Sequence, residues 1–113
     1  MKENEKWETV KTTRYAEYQV SDAGRCKKIL RDKSGTVEIT NGNLNKHLGY
    51  MYFAGNFVHR LVALSFVPNL NGFKEVDHIN SDKTDNRACN LRWVTHKENV
   101  STEHSKEARR LHA

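Results

Sequence analysis

Two short apolar clusters separated by a long polar run set the firmest limit on how this chain can fold. They lie in "EVDHINSDKTDNRACNLRWVTHKEN", residues 75–99, and are anchored by Val76, Ile79, Leu91, Trp93 and Val94. "EVDHI" and "LRWV" have the length and composition of strands, and "NSDKTDNRACN" between them reads as a polar loop. Thr95, followed three residues later by Glu98, makes the Thr-x-x-Glu capping pattern that opens a helix. The segment therefore predicts strand, loop, strand, helix. That last helix is expected to run towards Leu111, with Arg109 and Arg110 at an end where cations are favourable.

Upstream, short strands alternate with turn signals. "WETV", "YQVS", "RCKKIL" and the period-two "TVEIT" are strand candidates. "SDAGR" turns at Gly24, which can take a positive φ, and "RDKSG" turns at Gly35. "GYMYFAGNFV" predicts a hairpin turning at Ala54, Gly55 and Asn56. From His59 the period changes: Leu61, Val62, Leu64 and Phe66 suit a short helix stopped by Pro68, the only proline. Trp7 and Trp93 are expected in the core. The fold class that follows is α+β. An N-terminal antiparallel sheet occupies residues 1–57, residues 58–113 form the second part, and the two pack as one compact unit. A chain of 113 residues suits one domain.

Charge narrows the partners. Lys and Arg number 19 against 14 Asp and Glu, for a net charge of +5 and a pI near 9.3. Such a balance favours polyanions, nucleic acid first, although a basic surface can also be merely solvated. Arg25, Lys27, Lys28, Arg31 and Lys33 fall on one N-terminal hairpin. They can follow a phosphate backbone or simply face water. Arg87 in the polar loop and Arg92 on the second strand lie nearer the cluster of polar groups. Cys26 and Cys89 are far apart and form no CxxC pair, which argues against structural zinc and fits two reduced thiols in a cytoplasmic protein. "MKENEKWETV" lacks the apolar run of a signal peptide, and no apolar stretch has the length of a membrane span.

The polar groups of residues 75–99 suggest chemistry if they meet. Asp77 and His78 end the first strand, and Asn99 falls in the first turn of the last helix. A helix laid across the strands would bring Asn99 towards Asp77. A carboxylate and an amide oxygen are hard donors, suited to Mg²⁺ or Mn²⁺ with water completing the shell. His78 beside them can accept a proton from an attacking water. Asn90 can brace the loop through its amide. Taken alone, Asp77 and His78 also read as a solvated strand end. His59 reads as a packed histidine or as a support for His78, and His47, His104 and His112 as surface residues.

"VDHIN…DNRACNLRWVTHKEN" resembles the HNH nuclease motif in the form found in phage- and intron-encoded homing endonucleases. Asp77 and His78 match its Asp-His pair, Asn90 its central Asn, and Asn99 its last position, which is Asn in this subgroup. "VHRLVALSFVPN" is similar to the segment preceding the motif, and "WETV…YQVSDAGRCKKI" to a nuclease-associated N-terminal module. The resemblance implies a ββα-metal core and a Mg²⁺- or Mn²⁺-dependent DNA endonuclease with one metal per active site. It makes Asp77 and Asn99 the metal ligands and His78 the group that activates water, and gives 5′-phosphate and 3′-hydroxyl products. It places His96 near the phosphate, where such nucleases can carry Arg. The expected partner is double-stranded DNA, nicked by a monomer or weak homodimer in the cytoplasm of a bacterial or phage-infected cell. An inactive DNA-binding or regulatory protein on the same fold is the alternative, and a nuclease for RNA or single strands a further one. Such relatives usually continue into C-terminal helical modules that read DNA. This sequence ends 14 residues after Asn99, so recognition is expected to rest on the N-terminal sheet, to be weak, or to come from a partner.

Overall fold

The computed structural model describes residues 4–98, which form an α+β fold of three antiparallel sheets around one helix. The first sheet runs in the order β1 (Trp7–Thr12), β2 (Ala16–Ser21), β3 (Cys26–Leu30), β4 (Val37–Thr40). Val20 pairs with Cys26 and Ala16 with Leu30, so these residues share the inner face. Ala16, Val20 and Cys26 are fully buried there. Burial pushes the Cys26 thiol up to about 12, which makes it an inert core residue.

One sequence expectation is met in this sheet and one changes. "TVEIT" alternates as expected, yet Val37 and Ile39 remain about half exposed, at 51% and 50%. β4 is an edge strand, so alternation there separates two open faces and not core from solvent. Trp7 is not a core residue either. It pairs with Ser21 and stays half-buried, with the Lys27 ammonium 4.0 Å from its ring centroid.

A second sheet joins β5 (Asn43–Leu44), β6 (Met51–Phe53) and β7 (Asn56–Phe57). The β6–β7 turn uses two residues where three were expected. Ala54 and Gly55 both have positive φ, 53° and 80°, as a type I′ hairpin requires, and Phe53 pairs with Asn56. Helix α1 follows at once (Val58–Phe66). Its end has a local cause: Val67 precedes Pro68, is extended at φ −107° and ψ 115°, and donates its N–H to the Ala63 carbonyl.

The third sheet is the ribbon of β8 (Glu75–His78) and β9 (Leu91–Val94), entered by a 3₁₀ turn at Ala88–Asn90. Helix α1 packs against β2, β6, β8 and β9, which gathers Val20, Cys26, Phe53, Val58, Leu61, Val62, Val76 and Leu91 into one core. Trp93 flanks that core half-buried, its indole N–H donating to the Val67 carbonyl at 3.0 Å. After β9 the backbone turns helical at His96–Glu98, and Thr95 Oγ1 accepts from the Glu98 N–H at 3.1 Å, as the capping pattern predicts. The stretch expected to continue as a helix, with Asn99, His104, Arg109, Arg110 and His112, lies outside the described residues.

Candidate active site

The β8–β9 ribbon sets the register of the polar groups. Asp77 stands opposite Arg92 and His78 opposite Leu91. Successive strand residues point to opposite faces, so Asp77 and His78, though adjacent, leave the ribbon on different sides. Asp77 is 1% exposed, and its Oδ2 accepts from Arg92 Nε at 3.0 Å. Arg92 itself is about half exposed. This is a cross-strand ion pair with a buried anion.

His78 turns towards α1. Its ring lies 4.9 Å from that of His59 and 5.9 Å from that of Tyr50, and Tyr50 and His59 are 4.7 Å apart. Its Nε2 is 2.8 Å from Asn86 Oδ1. An amide oxygen can only accept, so Nε2 carries the hydrogen, and in the neutral ring the lone pair is on Nδ1. Asn86 is buried at 4% exposure. Sequence reasoning did not single it out.

The loop between the strands is tied at both ends by Asn90. Its Oδ1 accepts from the Asn80 N–H at 3.1 Å, while its Nδ2 donates to Asn80 Oδ1 and to the Asp85 carbonyl, each at 2.9 Å. The Ile79 N–H donates to the Asn90 carbonyl at 2.8 Å. Both atoms of the Asn90 side-chain amide thus bond within the loop. Arg87 pairs with Asp85 at 2.7 Å, which holds the Asp85 carboxyl below the usual range, at about 2. His96 is turned to Glu75, Nδ1 to Oε2 at 2.6 Å.

The basic residues of the N-terminal hairpin do not form one row. Lys27 lies over Trp7, whereas Lys28 pairs across from Tyr18, on the other face, 5.9 Å from its ring. Arg25 Nε donates to Glu5 Oε2 at 3.0 Å, and Arg31 Nη1 donates to the Thr13 carbonyl at 3.0 Å.

His59 is buried and its Nδ1 has no partner among the described residues. Burial, then the neighbouring His78 and Arg60, push its pKa down to about 3. The sign follows directly. Between about pH 6.5 and 3 the unfolded chain binds a proton at this position that the native chain refuses, so stability falls as pH falls through that window. The contribution is at most about 1.4 kcal/mol per pH unit. His59→Phe should flatten the decline in urea midpoint between pH 7 and pH 5. An unchanged decline would show that the acid sensitivity arises elsewhere.

A divalent ion fits this centre on donor chemistry. Among the described residues no three His, Cys, Asp or Glu side chains converge, so a metal here would take oxygen donors from Asp77 and complete its shell with water and phosphate oxygens. Magnesium and manganese accept such a shell. Asn99, the second ligand expected from the sequence, is outside the described residues.

Residues 56–101 match the family model of the HNH endonucleases, and residues 5–55 that of the NUMOD4 motif. The chain is homologous to the HNH endonucleases. HNH nucleases generally use a divalent metal. An Acanthamoeba polyphaga mimivirus protein named as the uncharacterized HNH endonuclease L247 is 40% identical over 103 residues, covering 88% of this chain and 26% of that protein. The DNA endonuclease I-HmuI of Bacillus phage SP01 is 34% identical over 91 residues, covering 79% of this chain and 52% of that enzyme. A solved structure of DNA binding and cleavage by I-HmuI superposes with a TM-score of 0.60 at 33% identity, covering 90% of this chain and 59% of that one. The chain thus spans between about a quarter and about half the length of these two curated relatives. No described helix is long and apolar enough to cross a membrane.

Proposed function

We propose that this HNH homologue is a DNA endonuclease that hydrolyses phosphodiester bonds with divalent-metal help, Mg²⁺ or Mn²⁺. The observation that carries the reading is the geometry of His78, with Nε2–H bonded to Asn86 and the lone pair on Nδ1, next in the chain to the buried Asp77 carboxylate. In this reading Nδ1 takes a proton from water as the water oxygen attacks phosphorus. The 3′ oxygen leaves, giving a 3′-hydroxyl and a 5′-phosphate. Asp77 and Asn99 would hold the metal, which when bound supplies positive charge against the phosphate oxygens. Asn90 keeps the loop in shape. His96 reaches a phosphate only by leaving Glu75. The division of labour at residue 57, a β-rich module before it and a nuclease core after it, belongs to the same proposal.

The test is supercoiled plasmid incubated with Mg²⁺, Mn²⁺ or EDTA, with RNA and single-stranded DNA as competitors. One centre meets one phosphate, so nicked circles should appear with metal and not with EDTA. Duplex bound but intact in every metal would overturn the reading and leave a DNA-binding protein without cleavage. Monomeric chain, or a weak dimer, suffices for nicking.

The sheet face carrying Trp7 and Lys27 is the proposed track for the phosphate backbone. Each phosphate that a lysine or arginine neutralises contributes about 0.9 to the slope of log affinity against log salt. Lys27→Ala should flatten that slope by about this amount, and Lys28→Ala, on the opposite face, should change it less. Equal slopes for wild type and Lys27→Ala would move the DNA-binding surface elsewhere, such as to the loop around Arg87.

A further inference from the structure

The turn between β2 and β3 lies against the loop that carries Asn86. Gly24 has φ +81°, and a Cβ there would lie 2.6 Å from the Asn86 carbonyl carbon, 2.7 Å from its oxygen and 2.9 Å from the Arg87 nitrogen. Only glycine allows both that backbone conformation and that approach. Two residues beyond Asn86, the Ala88 N–H donates to the Asp22 carbonyl at 2.8 Å. The turn is itself held firmly. Ser21 is fully buried, and its Oγ accepts from the Ala23 and Arg25 N–H groups, each at 3.2 Å. Asp22 Oδ1 accepts from the Lys6 N–H at 3.1 Å.

Asn86 needs such support. Its Oδ1 meets His78, but its Nδ2 is buried and has no partner among the described residues. A side chain fixed at both amide atoms would hold its own orientation. One fixed at a single atom takes its aim from its backbone, and that backbone is held by Gly24 against the Asn86–Arg87 peptide and by the Asp22 carbonyl at Ala88.

We propose that the Ser21–Arg25 turn is a clamp on the Asn86 loop, which makes Asn86 and Gly24 positioning residues that set the tautomer and aim of His78. The N-terminal sheet then does more than hold DNA: it completes the reacting centre from the far side of the fold. The effect on cleavage rests on the endonuclease reading above. The effect on the His78 tautomer does not.

The experiment uses the full chain and three changes. Asn86→Leu keeps volume and removes the acceptor, Asn86→Asp keeps an acceptor oxygen, and Gly24→Ala pushes on the loop. Ser21→Ala, a milder loosening of the turn, stands in if Gly24→Ala does not fold. Long-range ¹H–¹⁵N spectra of the imidazoles report the tautomer. Wild type and Asn86→Asp should show His78 protonated at Nε2, and Asn86→Leu, Gly24→Ala and Ser21→Ala should show a mixture. With plasmid and Mg²⁺ at saturating protein, Asn86→Leu and Gly24→Ala should cleave about 10²-fold more slowly, Ser21→Ala less severely so, and Asn86→Asp should recover most of the rate. DNA affinity measured in EDTA should change less than twofold. Folded Gly24→Ala or Ser21→Ala with the wild-type tautomer overturns the clamp, as does Asn86→Leu cleaving at the wild-type rate. An inactive wild type whose tautomer still depends on Gly24 overturns the endonuclease reading and leaves the clamp standing.

Discussion

His78→Ala should slow single-turnover DNA cleavage by about 10²–10⁴-fold, the usual weight of a general base, while DNA affinity in EDTA stays near that of wild type. The residue is 3% exposed and packed beside His59 and Tyr50, so it cannot contribute much surface to a bound duplex. Its part in the proposed reaction is to receive one proton at Nδ1 while Asn86 holds the other nitrogen. Removing the ring leaves a space beside His59, and added imidazole should restore part of the rate by occupying it. Thermal unfolding must accompany the assay, because the loss of a packed ring also lowers stability. A folded variant that cleaves at the wild-type rate would take the base role away from His78.

How much of this centre can be read from the chain depends on whether the signal is local. The two strands are legible because Val76, Leu91 and Trp93 lie on one face at strand spacing, against the core, and the helix start is legible because a cap needs only Thr95 and Glu98. Pro68 likewise marks the end of α1 through a clash with its own neighbour. Contacts between distant segments leave no such trace. Asn80, Asn86 and Asn90 sit in one polar run with no period, and nothing local says that the middle one faces His78. Gly24 reads as a turn glycine, although the approach of Asn86 explains it equally well. The pairing of Asp77 with Arg92 had a readable signal: an antiparallel register that aligns Val76 with Trp93 places these opposite charges face to face. Trp7 misled because an apolar residue on an open sheet face looks the same in sequence as a core residue. His59, far along the chain from His78, joins it only through the packing of α1 on the ribbon.

The Asp77–Arg92 pair makes the metal reading testable without any nuclease assay. Arg92 donates to a carboxylate that is almost fully buried, and a hydrogen bond to a charged group contributes about 1.5–3 kcal/mol. Arg92→Ala should therefore lower the melting temperature in EDTA. A divalent cation on Asp77 would share that carboxylate with a guanidinium, and like charges at close range oppose each other. The same Arg92→Ala variant should then bind Mg²⁺ or Mn²⁺ more tightly than wild type and regain stability as the metal is titrated. For wild type, metal at a hundredfold excess over its Kd adds about 2.7 kcal/mol, a rise in melting temperature on the order of 10 °C for a domain of this size. Asp77→Ala should abolish that rise and, with it, cleavage. The two variants thus move in opposite directions along one axis, metal affinity, although each removes one end of the same ion pair. A full metal-dependent rise in Asp77→Ala would place the metal ligands elsewhere. An Arg92→Ala variant with unchanged metal affinity would show that Arg92 and the cation do not compete for the Asp77 carboxylate.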